Sequence, residues 1–267
     1  MKPYQLLLLI PILLVSPFLS GQTKYYDAAQ FPLIGKISND TETRYERLPS
    51  YLKDKTRPRV WQLGKNTSGL AIRFRSNSTS ISAKWDLYEN VSMNHMTPTG
   101  IKGLDLYAWT KDHWQFVNTG RPNAKTNEQT IIANMSAQER EYLLFLPLYD
   151  GINSLSIGID STAAILQPAL SYPETKHPVV CYGTSITQGG CANRPGMSYS
   201  NILERRFNRE FINLGFSGNG QLDYEIAEAM AKRHDVSLFV LDFIPNVNLQ
   251  QLKEKNSPFC RNKNGER

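Results

Sequence analysis

The sequence predicts an α/β domain built on a parallel sheet and preceded by an all-β sandwich domain. Three observations carry that prediction. Between Tyr25 and Ile165 apolar and polar residues alternate in short runs bounded by turn residues, the pattern of strands with one buried and one wet face. After Pro178 the pattern changes to near-continuous apolar runs at 179–182, 211–214 and 237–241, separated by helical segments. Strands buried on both faces of a parallel sheet read that way. Between the two lies 171–178, polar and bracketed by prolines, a linker by composition. The expected division is a signal peptide at 1–21, a sandwich at 22–170, the linker at 171–178 and the α/β domain at 179–267.

The first segment is read from its own chemistry. Lys2 supplies a positive start, residues 6–18 are apolar except for Ser16 and are broken by Pro11 and Pro17, and Ser20-Gly21 precede a polar sequence. That is the pattern of a secretory signal peptide, with an apolar core too short to span a bilayer comfortably. Gln22 stands where a lipidated cysteine would be, so the expectation is export, periplasmic or extracellular, without a stable membrane anchor.

Bulk numbers exclude several function classes. The chain has 267 residues, 40% of them hydrophobic and 20% charged, which suits one or two globular domains. Its net charge of +6 is spread thinly through Lys53, Lys55, Arg57 and Arg59 and through Arg205, Arg206 and Arg209, with acids nearby. No aromatic-interleaved basic stripe occurs, so no nucleic-acid partner is expected. Three cysteines, Cys181, Cys191 and Cys260, are an odd count for an exported protein and argue against a disulfide framework. No CxxC, HExxH or His-rich cluster appears, and neither a metal nor a cofactor is expected.

In the β region the strands expected are 70–75, 81–85, 104–109, 114–117, 142–148 and 155–159. Lys111-Asp112-His113 and Tyr149-Asp150-Gly151 are the turns between neighbouring runs. Such a sandwich suits a carbohydrate-binding module, a spacer or a wall of an active site. Beyond the linker, the strand at 179–182 ends in Gly183-Thr184-Ser185-Ile186-Thr187-Gln188-Gly189-Gly190. A helix at 199–207 follows, capped by Ser198 or Ser200 and apolar through Ile202, Leu203 and Phe207. A helix at 224–232 separates the second and third strands.

Right-handed crossovers bring the three strand ends to one edge of the sheet. There Ser185 offers a hydroxyl nucleophile, the loop Phe216-Ser217-Gly218-Asn219-Gly220 offers unencumbered N–H groups, and Asn246 offers an amide donor. A serine with fixed donors is what stabilises the oxyanion of an acyl-transfer intermediate. A phosphate loop would need a Lys before the Ser/Thr, and the GxSxG elbow needs Gly where Thr187 stands.

These residues carry a family resemblance. Tyr182-Gly183-Thr184-Ser185-Ile186-Thr187-Gln188-Gly189 resembles the first block of the SGNH/GDSL hydrolases, Asn213-Leu214-Gly215-Phe216-Ser217-Gly218 the second, and Asp242-Phe243-Ile244-Pro245-Asn246 a variant of the third. Gly103-Leu104-Asp105-Leu106-Tyr107 is similar to the GxDLY signature of the β-rich N-terminal domain on one secreted branch. The resemblance implies a flavodoxin-like three-layer α/β/α domain behind a β-sandwich. It implies Ser185 as nucleophile and the Ser185 N–H, the Gly218 N–H and the Asn246 side chain as oxyanion hole. The implied chemistry is hydrolysis of acyl esters, acetyl esters of carbohydrates among them.

One block of the family is missing. Its Asp-x-x-His supplies acid and base, whereas no Asp-x-x-His follows Asn246 here and no histidine follows His234. The expectation is an incomplete α/β domain and a chain inactive or severely impaired. His234, between a helix and the third strand, belongs to the opposite sheet edge; His113 is a turn residue; His95 lies in a sandwich loop that can cross toward the site and is the candidate substrate contact. The rival expectation is a non-catalytic carbohydrate-binding or surface-interaction protein that uses the sandwich.

Overall fold

The computed structural model describes residues 22–170 and 177–261. The expected signal peptide at 1–21, most of the linker at 171–178 and the tail at 262–267 lie outside the described residues.

The β-rich region forms two antiparallel sheets. One runs Thr23–Asp27, Ile152–Asp160, Ile81–Leu87, Thr126–Ile132. The other runs Ile165–Leu166, Ala71–Ser76, Arg140–Phe145, Leu104–Thr110, His113–Gly120, with Leu33–Ile34 also pairing on Ala71–Ser76. Ile81, Ala83, Trp85 and Leu87 from the first sheet meet Ile72, Phe74, Leu104, Leu106 and Leu144 from the second in one core, while Lys84 faces water. Alternation made these strands legible. Thr23–Asp27 and Thr126–Ile132 were not expected, because their burial is mixed and their polar residues dominate.

The second part is a parallel sheet with Val179–Gly183 at its centre, Phe211–Gly215 on one side and Leu238–Asp242 on the other. Gly183 lies opposite both Gly215 and Asp242, so the three strands end flush at one edge. Helix Tyr199–Phe207 covers one face, where Tyr199 and Leu203 pack on Val179, Cys181 and Phe211. The other face meets helix Tyr224–Ala231 and Phe259 of helix Leu249–Arg261.

Two features depart from the sequence reading. The stretch between the strands at Leu33–Ile34 and Ala71–Ser76 is not β but contains helix Pro58–Gly64 and a short turn at Ser50–Leu52. Its Ile37, Leu48, Leu52, Val60 and Leu63 join Val180, Ile212, Leu214, Ile226 and Met230 in the core of the parallel sheet. Sequence position thus assigns this stretch to the first half, whereas its apolar side chains are buried in the second.

Helix Tyr199–Phe207 is turned over relative to its apolar pattern. Ile202 and Phe207 are 36% and 52% exposed, and Ser200, Asn201 and Glu204 are buried. The reason is hydrogen bonding: Ser200 Oγ accepts from Asn213 Nδ2, Asn201 Nδ2 donates to the Pro195 carbonyl, and Glu204 Oε2 accepts from the Phe211 N–H. Buried polar groups left without those partners would each cost about 1–3 kcal/mol, enough to outweigh the burial of one more apolar side chain.

Candidate active site

Strand Val179–Gly183 delivers Ser185 to the first position of a one-turn helix, Ser185–Gln188, with Thr184 as its N-cap. Ser185 is partly exposed beside the 61% exposed Ile186. Its backbone is held: the carbonyl accepts from the N–H groups of Gly189 and Gly190 and from the Tyr149 hydroxyl at 3.2 Å. Its hydroxyl makes no hydrogen bond to another described residue.

The second loop follows strand Phe211–Gly215. The Phe216 N–H donates to the Gly183 carbonyl at 2.9 Å, and the Ser217 N–H donates to Gln188 Oε1 at 2.8 Å, so this loop is stitched to the Ser185 helix. The Asn219 and Gly220 N–H groups turn back onto the Phe216 carbonyl at 2.8 and 2.9 Å. That turn puts Gly218 at φ +67°, and a Cβ built there would have nothing within 4 Å. Gly218 is therefore required by its left-handed backbone and leaves open space in front of it. Gly220 is required for the opposite reason, since a Cβ there would lie 2.1 Å from the Gly183 carbonyl oxygen.

Asn246 closes the third side from the turn Ile244–Asn246. With its amide oxygen assigned toward the second loop, it accepts from the Asn219 N–H at 3.2 Å and the Gly220 N–H at 3.3 Å. That orientation leaves its Nδ2 hydrogens as outward donors. Below it, Asp242 Oδ2 accepts from Thr187 Oγ1 at 3.0 Å, tying the third strand to the Ser185 helix. The structure thus brings Ser185, Gly218 and Asn246 to one sheet edge. His95 is exposed and its Nδ1 meets the side chain of its neighbour Asn94. His234 follows helix Tyr224–Ala231 and precedes Leu238–Asp242, at the far edge.

Sequence reasoning missed the residues that lock this edge from outside it. Arg47, 1% exposed, donates to the carbonyls of Leu63, Asn66, Asn213 and Gly215, and its guanidinium lies over the Phe216 ring. Burial pulls its pKa down to about 9, still above neutral pH. Arg57 forks onto both Asp223 oxygens at 2.7 and 3.0 Å and also reaches the Asn219 carbonyl at 2.7 Å. The Tyr182 hydroxyl donates to the same Asp223, and burial, reinforced by that carboxylate, pushes its pKa up so that it stays a donor. No local signal marks either arginine, because the loop and strand residues they hold, Asn213, Gly215, Asn219 and Asp223, lie more than 160 residues away in sequence.

Asp105 of the GxDLY signature is fully buried at the junction of the two halves. It accepts from Arg194 Nη1 at 2.6 Å, the Gly196 N–H at 2.9 Å, Thr119 Oγ1 at 2.9 Å and the Tyr107 hydroxyl at 3.2 Å. Burial pushes its carboxyl up from the usual range, and Arg194 with the neighbouring donors pulls it back. The signature thereby holds the turn Pro195–Met197, just behind the Ser185 helix, against strand Leu104–Thr110.

A cavity of about 130 Å³ is lined by Arg59, Gln62, Glu89, Val91 and Met93 together with Ser217, the neighbour of Gly218, and Tyr149, whose hydroxyl bonds the Ser185 carbonyl. Among the described residues no group of three or more His, Cys, Asp or Glu is placed to hold a metal ion.

Residues 23–165 match the GxDLY family, the N-terminus of SGNH-hydrolase-type esterases. Residues 176–264 match the GDSL-like lipase/acylhydrolase family. A solved structure from Bacteroides ovatus ATCC 8483, assigned as a GDSL-like lipase, superposes with a TM-score of 0.86 at 38% identity, over 91% of this chain and 70% of that one. A salicylyl-acyltransferase from a tetracycline biosynthetic pathway superposes with a TM-score of 0.69 at 15% identity, over 90% and 69% of the two chains. A family two carbohydrate esterase from Cellvibrio japonicus gives 0.54 at 10% identity, over 90% and 75%. At such identities the last two share the fold. No protein of curated function matches the chain.

Proposed function

This chain belongs to the GDSL-like lipase/acylhydrolase family and carries the GxDLY domain at its N-terminus, and from that premise we propose an exported serine esterase that removes small acyl groups, acetyl groups on carbohydrates above all. Ser185 Oγ attacks the ester carbonyl carbon as its proton passes to a solvent water, the acceptor within reach of a hydroxyl that bonds no other described residue. The carbonyl oxygen becomes an oxyanion that accepts from the N–H groups of Ser185 and Gly218 and from Asn246 Nδ2. Collapse of the tetrahedral intermediate breaks the C–O bond to the alcohol, which takes a proton back from water as it leaves, and the acyl group stays on Ser185 Oγ. Water then attacks the acyl-enzyme and the carboxylic acid departs.

One observation carries the reading. The Asn219 and Gly220 N–H groups close the Gly218 turn on the Phe216 carbonyl, and with its amide oxygen assigned toward those N–H groups Asn246 shares them at 3.2 and 3.3 Å, so the Gly218 turn is fixed and Asn246 is set beside it before any substrate arrives. Donors fixed in advance cost no reorganisation, and removing one typically costs 10²–10³ in turnover, about 3–4 kcal/mol. An unassisted serine hydroxyl is a weak nucleophile. Among the described residues no histidine is hydrogen-bonded to Ser185. The support for export is the sequence at 1–21, with Lys2, an apolar core and Ser20-Gly21.

The test is hydrolysis of 4-nitrophenyl acetate and of acetylated xylan by the purified chain. Any activity is expected to vanish in Ser185→Ala and to fall about 10²–10³-fold in Asn246→Ala. Hydrolysis by Ser185→Ala at the wild-type rate would overturn the assignment.

A further inference from the structure

The cavity beside Ser217 is built mostly by the other half of the molecule. Arg59 and Gln62 come from helix Pro58–Gly64, and Glu89, Val91 and Met93 come from the loop after strand Ile81–Leu87. That loop has little regular structure, yet its start is fixed by one side chain. Asp150 is fully buried, and its Oδ1 accepts from the N–H groups of Glu89 at 3.0 Å and Gly151 at 2.8 Å. Its Oδ2 accepts from the N–H groups of Asn90 and Val91, both at 2.8 Å. Four backbone donors converge on one carboxylate, and no ion pair to it is formed among the described residues. The main chain of the same turn is fixed too, since the Asp150 carbonyl accepts from the Thr67 N–H and the Tyr88 N–H donates to the Gly151 carbonyl. Asn90 stands at φ +75°, in the left-handed region that asparagine tolerates better than most residues, which lets the loop turn onto Asp150.

The neighbour of Asp150 reaches the reacting residues. The Tyr149 hydroxyl donates to the Ser185 carbonyl, and its ring packs with Met93, Val91 and Met96. Asp150 and Tyr149 therefore join the loop wall of the cavity to the Ser185 helix through two adjacent residues.

We propose that Asp150 is the positioning residue of a leaving-group subsite: its carboxylate holds 89–91 so that Glu89, Val91 and Met93 wall the cavity beside Ser217, and that cavity takes one ring of a polyhydroxylated alcohol. The inference rests on the esterase reading for the word leaving-group. The class of ligand follows from the walls and the size. Glu89 offers carboxylate acceptors, Arg59 and Gln62 offer donors, and these groups bind one another only through Arg59–Gln62 at 2.6 Å and a long Gln62–Glu89 contact at 3.5 Å. Val91 and Met93 offer an apolar surface to the C–H face of a ring. A volume of about 130 Å³ is about four waters at roughly 30 Å³ each, the scale of one pyranose rather than of a long acyl tail.

Asn at 150 cannot replace Asp. Its Nδ2 would face the Asn90 and Val91 N–H groups where Oδ2 now accepts, replacing two bonds by two donor–donor contacts.

The probe is methyl 2-O-acetyl-β-D-xylopyranoside. Its Kd is measured calorimetrically on Ser185→Ala and on Ser185→Ala/Asp150→Asn, and amide exchange is followed over residues 88–93 in both. The wild-type amides of Glu89, Asn90 and Val91 are expected to be protected; Asp150→Asn is expected to speed their exchange and to weaken binding, each at least tenfold. In chains with an intact Ser185, Asp150→Asn is expected to raise KM for the xyloside by a larger factor than it lowers kcat. Glu89→Gln and Met93→Ala are expected to weaken binding severalfold with exchange unchanged, which keeps the subsite testable if Asp150→Asn does not fold. Unprotected wild-type amides, faster exchange with an unmoved Kd, failure of the xyloside to bind, or an unmoved Kd in both wall variants would each overturn the proposal. If nothing is hydrolysed but binding responds as described, the esterase reading falls and the subsite stands. If hydrolysis depends on Ser185 and binding ignores all three variants, the subsite falls alone.

Discussion

Arg47 Nη1 donates to the Gly215 carbonyl at 2.9 Å, pinning the last residue of strand Phe211–Gly215 from a segment that precedes it by more than 160 residues. The loop that carries Gly218 starts from that pinned point. A buried guanidinium with carbonyl partners only is unusual, and removing it leaves several acceptors without a donor. Arg47→Met is expected to destabilise the fold by about 3 kcal/mol. Urea unfolding checks it: the midpoint should fall with the slope unchanged. Arg47→Lys should recover only part of the loss, since an ammonium cannot span the four carbonyls that the planar fork reaches.

The Asp105–Arg194 pair gives a prediction with a pH signature. At pH 7, Arg194→Met leaves a fully buried carboxylate without its cation, at a cost of about 3 kcal/mol. Burial already pushes this carboxyl up, and loss of Arg194 pushes it further. A raised carboxylate means that the folded state binds more protons than the unfolded one, so stability rises as pH falls. The defect of Arg194→Met should therefore shrink between pH 7 and pH 4, measured as the difference in Tm from wild type. A defect constant over that range would refute the assignment of the junction to this ion pair.

Gly218 and Gly220 separate strain from packing within one turn. Gly218→Ala meets open space and only has to bear φ +67°, which costs about 1–2 kcal/mol. Its methyl group stands where a substrate would approach, so turnover should fall further than stability does. Gly220→Ala drives a Cβ to within 2.1 Å of the Gly183 oxygen and parts the Gly218 loop from the strand that leads to Ser185. It should cost more stability than Gly218→Ala, read from paired thermal melts.

Asp160 makes part of the acid stability. Burial would raise its pKa, but the hydroxyls of Ser80, Thr79 and Ser78 and the Thr79 N–H together hold it down to about 2. Its folded value lies below its unfolded one, so the contribution is complete above about pH 4 and is lost as pH falls toward 2. Asp160→Asn should flatten the stability profile in that window and leave the wild-type and variant curves parallel above it.

Much of the site was legible before any coordinates. The run at 179–182 reads as a buried strand because both of its faces are covered, and the structure has it as Val179–Gly183. The second and third strands read the same way, and strands that share one direction must end at one edge. Ser185, the loop 216–220 and Asn246 follow from that rule together with residue chemistry, while the choice of Gly218 within the loop comes from the family resemblance; the structure sets all of them at one edge. Helix Tyr199–Phe207 was legible in extent but not in orientation, because its buried face is chosen by the hydrogen-bond partners of Ser200, Asn201 and Glu204 rather than by hydropathy.

The sequence by itself determined the change from alternating strands to a parallel sheet and the edge at which the candidate groups meet, since hydrophobic period is a local property of a chain. Only the tertiary structure decided what holds those groups in place. Arg47, Arg57, Asp105 and Asp150 act on backbone groups 16 to 168 residues away or on loops they reach across the fold. Such contacts leave no period and no spacing in the sequence, because a buried charge finds its partners through packing and not through distance along the chain.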